Sequence, residues 1–187
     1  MLKKCILFGL FGLFAISALP AQKYFTREGK VSFLSDAKVE KIEAVNKTAT
    51  SVYDAATGKM EFAVLIKAFQ FEKALMQEHF NENYMESDKF PKASFKGAIG
   101  DFKSINLAKD GVYPVKVKGQ LTIHGVTKDV ETEGKFTVKG GVVSAVSSFT
   151  VAVADYGIEI PSLVRDNIAK TVQIDVAVGY QELKKGS

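Results

Sequence analysis

Apolar and polar residues alternate with a period of two along most of this chain. In "YPVKVKGQLTIHG", Val115, Val117, Gly119, Leu121 and Ile123 fall on one face, and Lys116, Lys118, Gln120, Thr122 and His124 fall on the other. Val130, Thr132, Gly134, Phe136 and Val138 oppose Glu131, Glu133, Lys135 and Thr137 in the same way. Val172, Ile174, Val176, Val178 and Tyr180 repeat the pattern near the end, and Phe62, Val64 and Ile66 show it earlier. Such alternation marks half-buried strands with one wet face, as in antiparallel sheets. The pattern predicts eight or nine strands, near 28–34, 40–46, 50–54, 59–68, 92–102, 112–124, 128–138, 142–155 and 171–180.

The connections agree. "DAATGK", "KDG", "HGVTKD" and "KGG" are short turn-like links, so strands adjacent in sequence are expected side by side in an up-and-down meander. A sheet of that many long strands has two edges, and closure into a barrel removes them. The fold expected is therefore all-β: a closed antiparallel barrel whose interior is filled by side chains or holds one small ligand. Alternation selects Phe62, Val64, Ile66, Val115, Val117, Leu121, Ile123, Phe136, Val138, Phe149 and Val151 as its inward wall.

One stretch breaks the period. Residues 71–84 read as a helix, with Met76, Phe80 and Tyr84 on one face and Phe71, Leu75 and His79 on the adjoining stripe. Phe90-Pro91 then restarts an extended strand, because proline disfavours helix at the residue before it. Glu78, His79 and Glu82 invite a metal-site reading. However, they do not match a spacing such as H-E-x-x-H, and the second histidine stands 45 positions away. A helix closing one end of the barrel, its apolar arc inward, is the better account. His124 ends a strand just before Gly125 and reads as an outward turn histidine bonded to backbone. No G-x-S-x-G elbow accompanies it. No enzyme chemistry emerges from the residues.

Composition narrows the setting. Lys3 and Lys4 precede an apolar run at 5–19, and "ALPA" supplies small residues for cleavage after Ala21. Residues 1–21 thus read as a secretory signal peptide and 22–187 as one mature domain, periplasmic or secreted. The run is short of the ~20 residues that span a bilayer, so no stable membrane span is expected after cleavage. Without Lys3 and Lys4, 23 basic side chains face 21 acidic ones, a balance that gives no reason to expect nucleic acid. Cys5 is the single cysteine and lies in the signal segment. The mature domain therefore has no disulfide, zinc thiolate or catalytic thiol, and about 166 residues must hold it by packing.

Three segments resemble the YceI-like family. "GQLTIHGVTKDV" at 119–130 is similar to its strand–turn–strand signature, "FNENYMESDKFPKASFKG" at 80–97 to its helix and following Phe-Pro segment, and "DYGI" at 155–158 to its late aromatic-Gly-Ile. The resemblance implies an extended eight-stranded, lipocalin-like antiparallel barrel with one short helix in the periplasm. It further implies an isoprenoid lipid, an isoprenoid quinone or another long amphiphilic chain held lengthwise inside, with no other cofactor. The chain departs from the family at Met76-Gln77-Glu78-His79-Phe80, where many members carry Arg-Asp-x-His-Leu, and at residues 30–44, which lack an aromatic and His-rich start. The rim expected to orient a head group comprises Met76, His79, Phe80, Asn83, Tyr84 and Lys92. Two other readings stay open: a stress-related secreted barrel acting through its surface, and a metal-dependent hydrolase. A monomer and a homodimer are equally compatible with the sequence.

Overall fold

The computed structural model describes residues 22–184. The expected signal peptide, residues 1–21, lies outside them. Among the described residues nine strands form: β1 Lys23–Asp36, β2 Lys41–Asp54, β3 Lys59–Leu65, β4 Gln70–Phe71, β5 Lys92–Ile99, β6 Gly111–Ile123, β7 Val126–Lys139, β8 Val142–Ala152 and β9 Thr171–Glu182. Apart from the two-residue β4, each strand pairs antiparallel with its neighbour in sequence. β1 pairs with both β2 and β9, which closes an eight-stranded barrel. Closure gives every long strand a paired neighbour on both sides, as the meander required.

Two expected strands, 40–46 and 50–54, are one. The break expected at 47–49 is a bulge inside β2, where the register with β1 slips between Val31↔Asn46 and Gly29↔Ala49. Asn46 is fully buried and holds this irregularity. Its Oδ1 accepts from the Thr48 backbone N–H at 2.8 Å, and its Nδ2 donates to the Leu65 carbonyl at 2.8 Å. The side chain thus satisfies backbone groups that a bulge leaves unpaired. β1 also begins at Lys23 rather than near 28, because Tyr24 packs beside Tyr53 with ring centroids 6.3 Å apart.

One end of the barrel is solid. Tyr53, Phe136 and Tyr180 meet there, with Phe136 and Tyr180 stacked at an interplanar angle of 8° and Tyr53 5.0 Å from Phe136. Ile99, Ile105, Val138 and Val143 fill the space around them. The Tyr180 hydroxyl and Ser51 Oγ lie 2.9 Å apart, so this phenol is hydrogen-bonded where it is buried. Burial pushes the pKa of Tyr53 and of Tyr180 up to about 12. An unfolded tyrosine loses its proton near pH 10, before the folded one does. Stability is therefore undiminished below that pH and falls as pH rises towards 12. The slope is expected to reach about 1.4 kcal/mol per pH unit for each tyrosine. Urea midpoints compared at neutral pH and at about pH 11 check this, and equal midpoints would refute it.

Candidate functional site

The other end is hollow. A cavity of about 380 Å³ opens above the aromatic plug, within the range of small-molecule sites. Its wall is almost wholly carbon. Of the expected inward set, Phe62, Val64, Ile66, Val115, Val117, Leu121, Ile123, Phe136, Phe149 and Val151 line it. Val138 does not. It shares the inward face of β7, but it lies one inward step beyond Phe136, within the solid end beside Val143. Alternation assigns a side chain to a face but carries no information about its depth along the barrel.

The wall also contains residues outside the expected set. Val31 and Phe33 come from β1, Phe95 from β5, and Val172, Ile174 and Val176 from β9. The β9 residues show the same alternation as the others and were legible by that signal. Ile158, Ile160, Val164 and Ile168 come from the irregular connection between β8 and β9, where no period marks them.

That connection is needed because the wall splays. The β7–β8 ladder runs only from Gly134↔Ser147 to Lys139↔Val142. Beyond it, residues 126–133 of β7 pair with β6 alone. Val153 and Tyr156, from the short turn Val153–Tyr156, together with Ile158 pack against Val126 and Val130 in the gap. At the fork, Ser147 Oγ donates to the Glu133 carbonyl at 2.8 Å and lies 3.1 Å from Thr132 Oγ1.

The mouth is covered by helix α1, Ala74–His79, which continues into a π-helical turn, Phe80–Tyr84. Phe71, expected in this helix, belongs instead to β4, where it pairs with Ala44. Phe80 pins the cover: its ring stacks on Phe33 at 5.4 Å and meets Phe69 at 5.7 Å and Phe71 at 5.0 Å. Met76, His79, Phe80 and Tyr84 all face the cavity. Asn83 and Lys92 do not, and both are exposed. Asn83 occupies the outer side of the widened π turn, and Lys92 pairs opposite Leu65, itself on the outer face. Among the described residues, no three His, Cys, Asp or Glu side chains gather as a metal-holding group.

His124 sits at the β6–β7 turn with φ of 51°, and its Nδ1 lies 3.2 Å from the Tyr156 carbonyl oxygen. The turn and the backbone bond match the expectation for this residue. Its environment is more enclosed than an outer-face residue would have. Nε2 lies 2.8 Å from Glu86 Oε2, and the ring meets Phe90 edge-on at 4.6 Å. Gly125 has φ of 75°, and a side chain there would strike the Phe90 ring at 2.5 Å, so glycine is required on both counts. Three sequence segments that are far apart, around His124, Phe90 and Tyr156, therefore meet at one point. His124 fastens both the return of the cover, at Glu86, and the gap-filling turn, at Tyr156, to the hairpin tip. Only the doubly protonated ring donates to both acceptors at once.

The family model for the YceI-like domain matches residues 24–180. Among solved structures, a polyisoprenoid binding domain from Saccharophagus degradans, implicated in plant cell wall breakdown, aligns with a TM-score of 0.76 at 15% identity, covering 87% of this chain and 99% of that one. Burkholderia cenocepacia BcnA aligns with a TM-score of 0.67 at 17% identity, covering 82% of this chain and 96% of that one. At such identities the likeness establishes a shared fold. No curated protein matches the sequence.

Proposed function

This chain belongs to the YceI-like family, and on that premise we propose that it is a non-enzymatic periplasmic or secreted carrier of one long isoprenoid or similar amphiphilic chain. Residues 1–21 act as its cleaved signal peptide, and the mature domain begins at Gln22. The observation that carries the reading is the apolar cavity closed at one end by the Tyr53–Phe136–Tyr180 plug. A blind apolar tunnel suits a ligand that enters lengthwise and stops. The polyisoprenoid-binding domain with the same fold is consistent with that ligand class.

The magnitudes favour a long chain. The cavity has room for at least about a dozen water-sized groups. Each buried CH₂ contributes about 0.8 kcal/mol, so ten give roughly 8 kcal/mol before association costs of roughly 4–15 kcal/mol are subtracted. A short metabolite leaves no surplus. A chain enclosed along most of its length does, and it gains further if part of it extends under the cover. Polar groups at the mouth, His79 and Tyr84 among them, then set the direction of the ligand rather than its affinity.

Native mass spectrometry of protein purified without detergent, followed by organic extraction, tests the reading. The expected result is a bound species with a long isoprenoid or acyl chain, and uptake of a fluorescent isoprenol by the stripped protein. An empty barrel that takes up no probe would refute it in favour of a protein acting through its outer surface.

A further inference from the structure

Resting on the carrier reading, we propose that the rim of the tunnel mouth docks transiently on the face of an electrically neutral lipid bilayer, with Val39, Leu75 and Leu163 as the inserted side chains. A ligand of this class is stored in membranes and is nearly insoluble in water, so the mouth must meet a bilayer to load or unload it.

The rim has the required surface. Val39 is 68% exposed, Leu75 60% and Leu163 94%, and each is the immediate neighbour of a residue that lines the cavity: Glu40, Met76 and Val164. They lie on three different segments around the mouth: the β1–β2 turn, α1 and the β8–β9 connection. Those segments are tied to one another. The Val39 N–H donates to the Asp166 carbonyl at 3.3 Å, which joins the β1–β2 turn to the turn carrying Leu163. Lys73 Nζ lies 3.3 Å from Glu40 Oε1, which joins the same β1–β2 turn to the start of α1. One scattered apolar side chain on a surface needs no explanation, but three on a tied rim around an apolar opening do.

The charges beside them identify the kind of membrane. Lys38, Lys73 and Arg165 are matched by Glu40, Glu72 and Asp166 on the same segments. Among the described residues these segments hold no basic cluster to seek anionic headgroups, so insertion of apolar side chains carries the contact. Partitioning should therefore change little when anionic lipid is added or salt is raised.

Flotation of the mature protein with vesicles of phosphatidylcholine, and of phosphatidylcholine mixed with phosphatidylglycerol, tests this. The wild type is expected to float with both to a similar extent. The Val39→Asp/Leu75→Asp/Leu163→Asp variant is expected to lose roughly tenfold or more of that partitioning. Should the triple variant lose its fold by circular dichroism, Leu163→Asp alone decides, since that side chain has almost no contacts to lose. A wild type that stays at the bottom of the gradient, or variants that float equally well, overturn the proposal. Flotation only with phosphatidylglycerol overturns it too. So does a concentration-dependent dimer that the same substitutions dissolve, for then the rim serves a second copy of the chain. Uptake of a fluorescent isoprenol delivered from ethanol, measured in parallel, separates the two claims. Uptake without flotation refutes docking and leaves the carrier reading standing; flotation without uptake does the reverse.

Discussion

Phe80→Ala is expected to weaken the binding of an isoprenoid probe roughly a hundredfold while leaving the barrel folded. The ring joins the mouth cover to Phe33, Phe69 and Phe71. Truncating a packed phenylalanine costs about 3–5 kcal/mol, and the half-buried state of Phe80 places it at the lower end. The loss falls on the cover, because Phe80 lies outside the strand ladders and outside the solid end of the barrel. About 3 kcal/mol spent on keeping the cover closed corresponds to about two powers of ten in affinity. Amide exchange in residues 72–90 should accelerate by a similar factor, while exchange in β6 and β7 stays slow. Glu78→Gln, on the exposed side of the same helix, should change neither quantity. Unaltered exchange and affinity in Phe80→Ala would show that the cover is not what retains the ligand.

Gly119→Val is expected to be the most damaging single substitution in the wall. Gly97 and Gly119 stand directly opposite each other in the β5–β6 ladder. The Phe95 ring tip lies over both, in the space that two side chains would otherwise take. A Cβ on Gly119 would come within 2.5 Å of Gly97 Cα and 2.7 Å of Phe95 Cζ, and would also strike the Lys96 carbonyl oxygen. The flexible part of that neighbourhood is one aromatic ring; the rest is backbone, which cannot withdraw without breaking ladder bonds. Overpacking of this kind costs typically 1–3 kcal/mol, and backbone on two sides puts Gly119→Val at about 3 kcal/mol or more. For a domain of this size that is a fall in Tm of roughly 6–12 °C. Gly179→Ala is the control, because nothing lies within 4 Å of a Cβ there and its backbone is not left-handed. It should melt with the wild type. Equal melting of Gly119→Val and wild type would mean that the β5–β6 wall is far more pliable than its geometry indicates.

Much of this was legible in the chain alone. Period-two alternation located the long strands, assigned the inward face of β3, β6 and β7 correctly, and with the short turns implied a closed meander. It did so because which side of a strand a residue faces is a local property, repeated every two residues. Helical i, i+4 spacing separated Met76, Phe80 and Tyr84 from their exposed neighbours in the same way. Alternation failed where a local polar run has a distant partner. The break read at 47–49 is a bulge held by Asn46, which bonds the Leu65 carbonyl 19 residues away.

The division between sequence and tertiary structure is physical. Faces and short turns follow from the order of residues, since each depends on a few consecutive dihedrals and side chains. Depth does not. Whether an inward residue helps fill the solid end, as Val138 does, or borders the cavity, as Leu121 does, depends on how eight tilted strands bring their side chains together at one level of the barrel. The cavity is the region where those side chains fail to meet, so no single strand encodes it. The His124 clasp is of the same kind: it exists because closure brings residues 86, 124 and 156 to one place, and only the closed barrel decides that they touch.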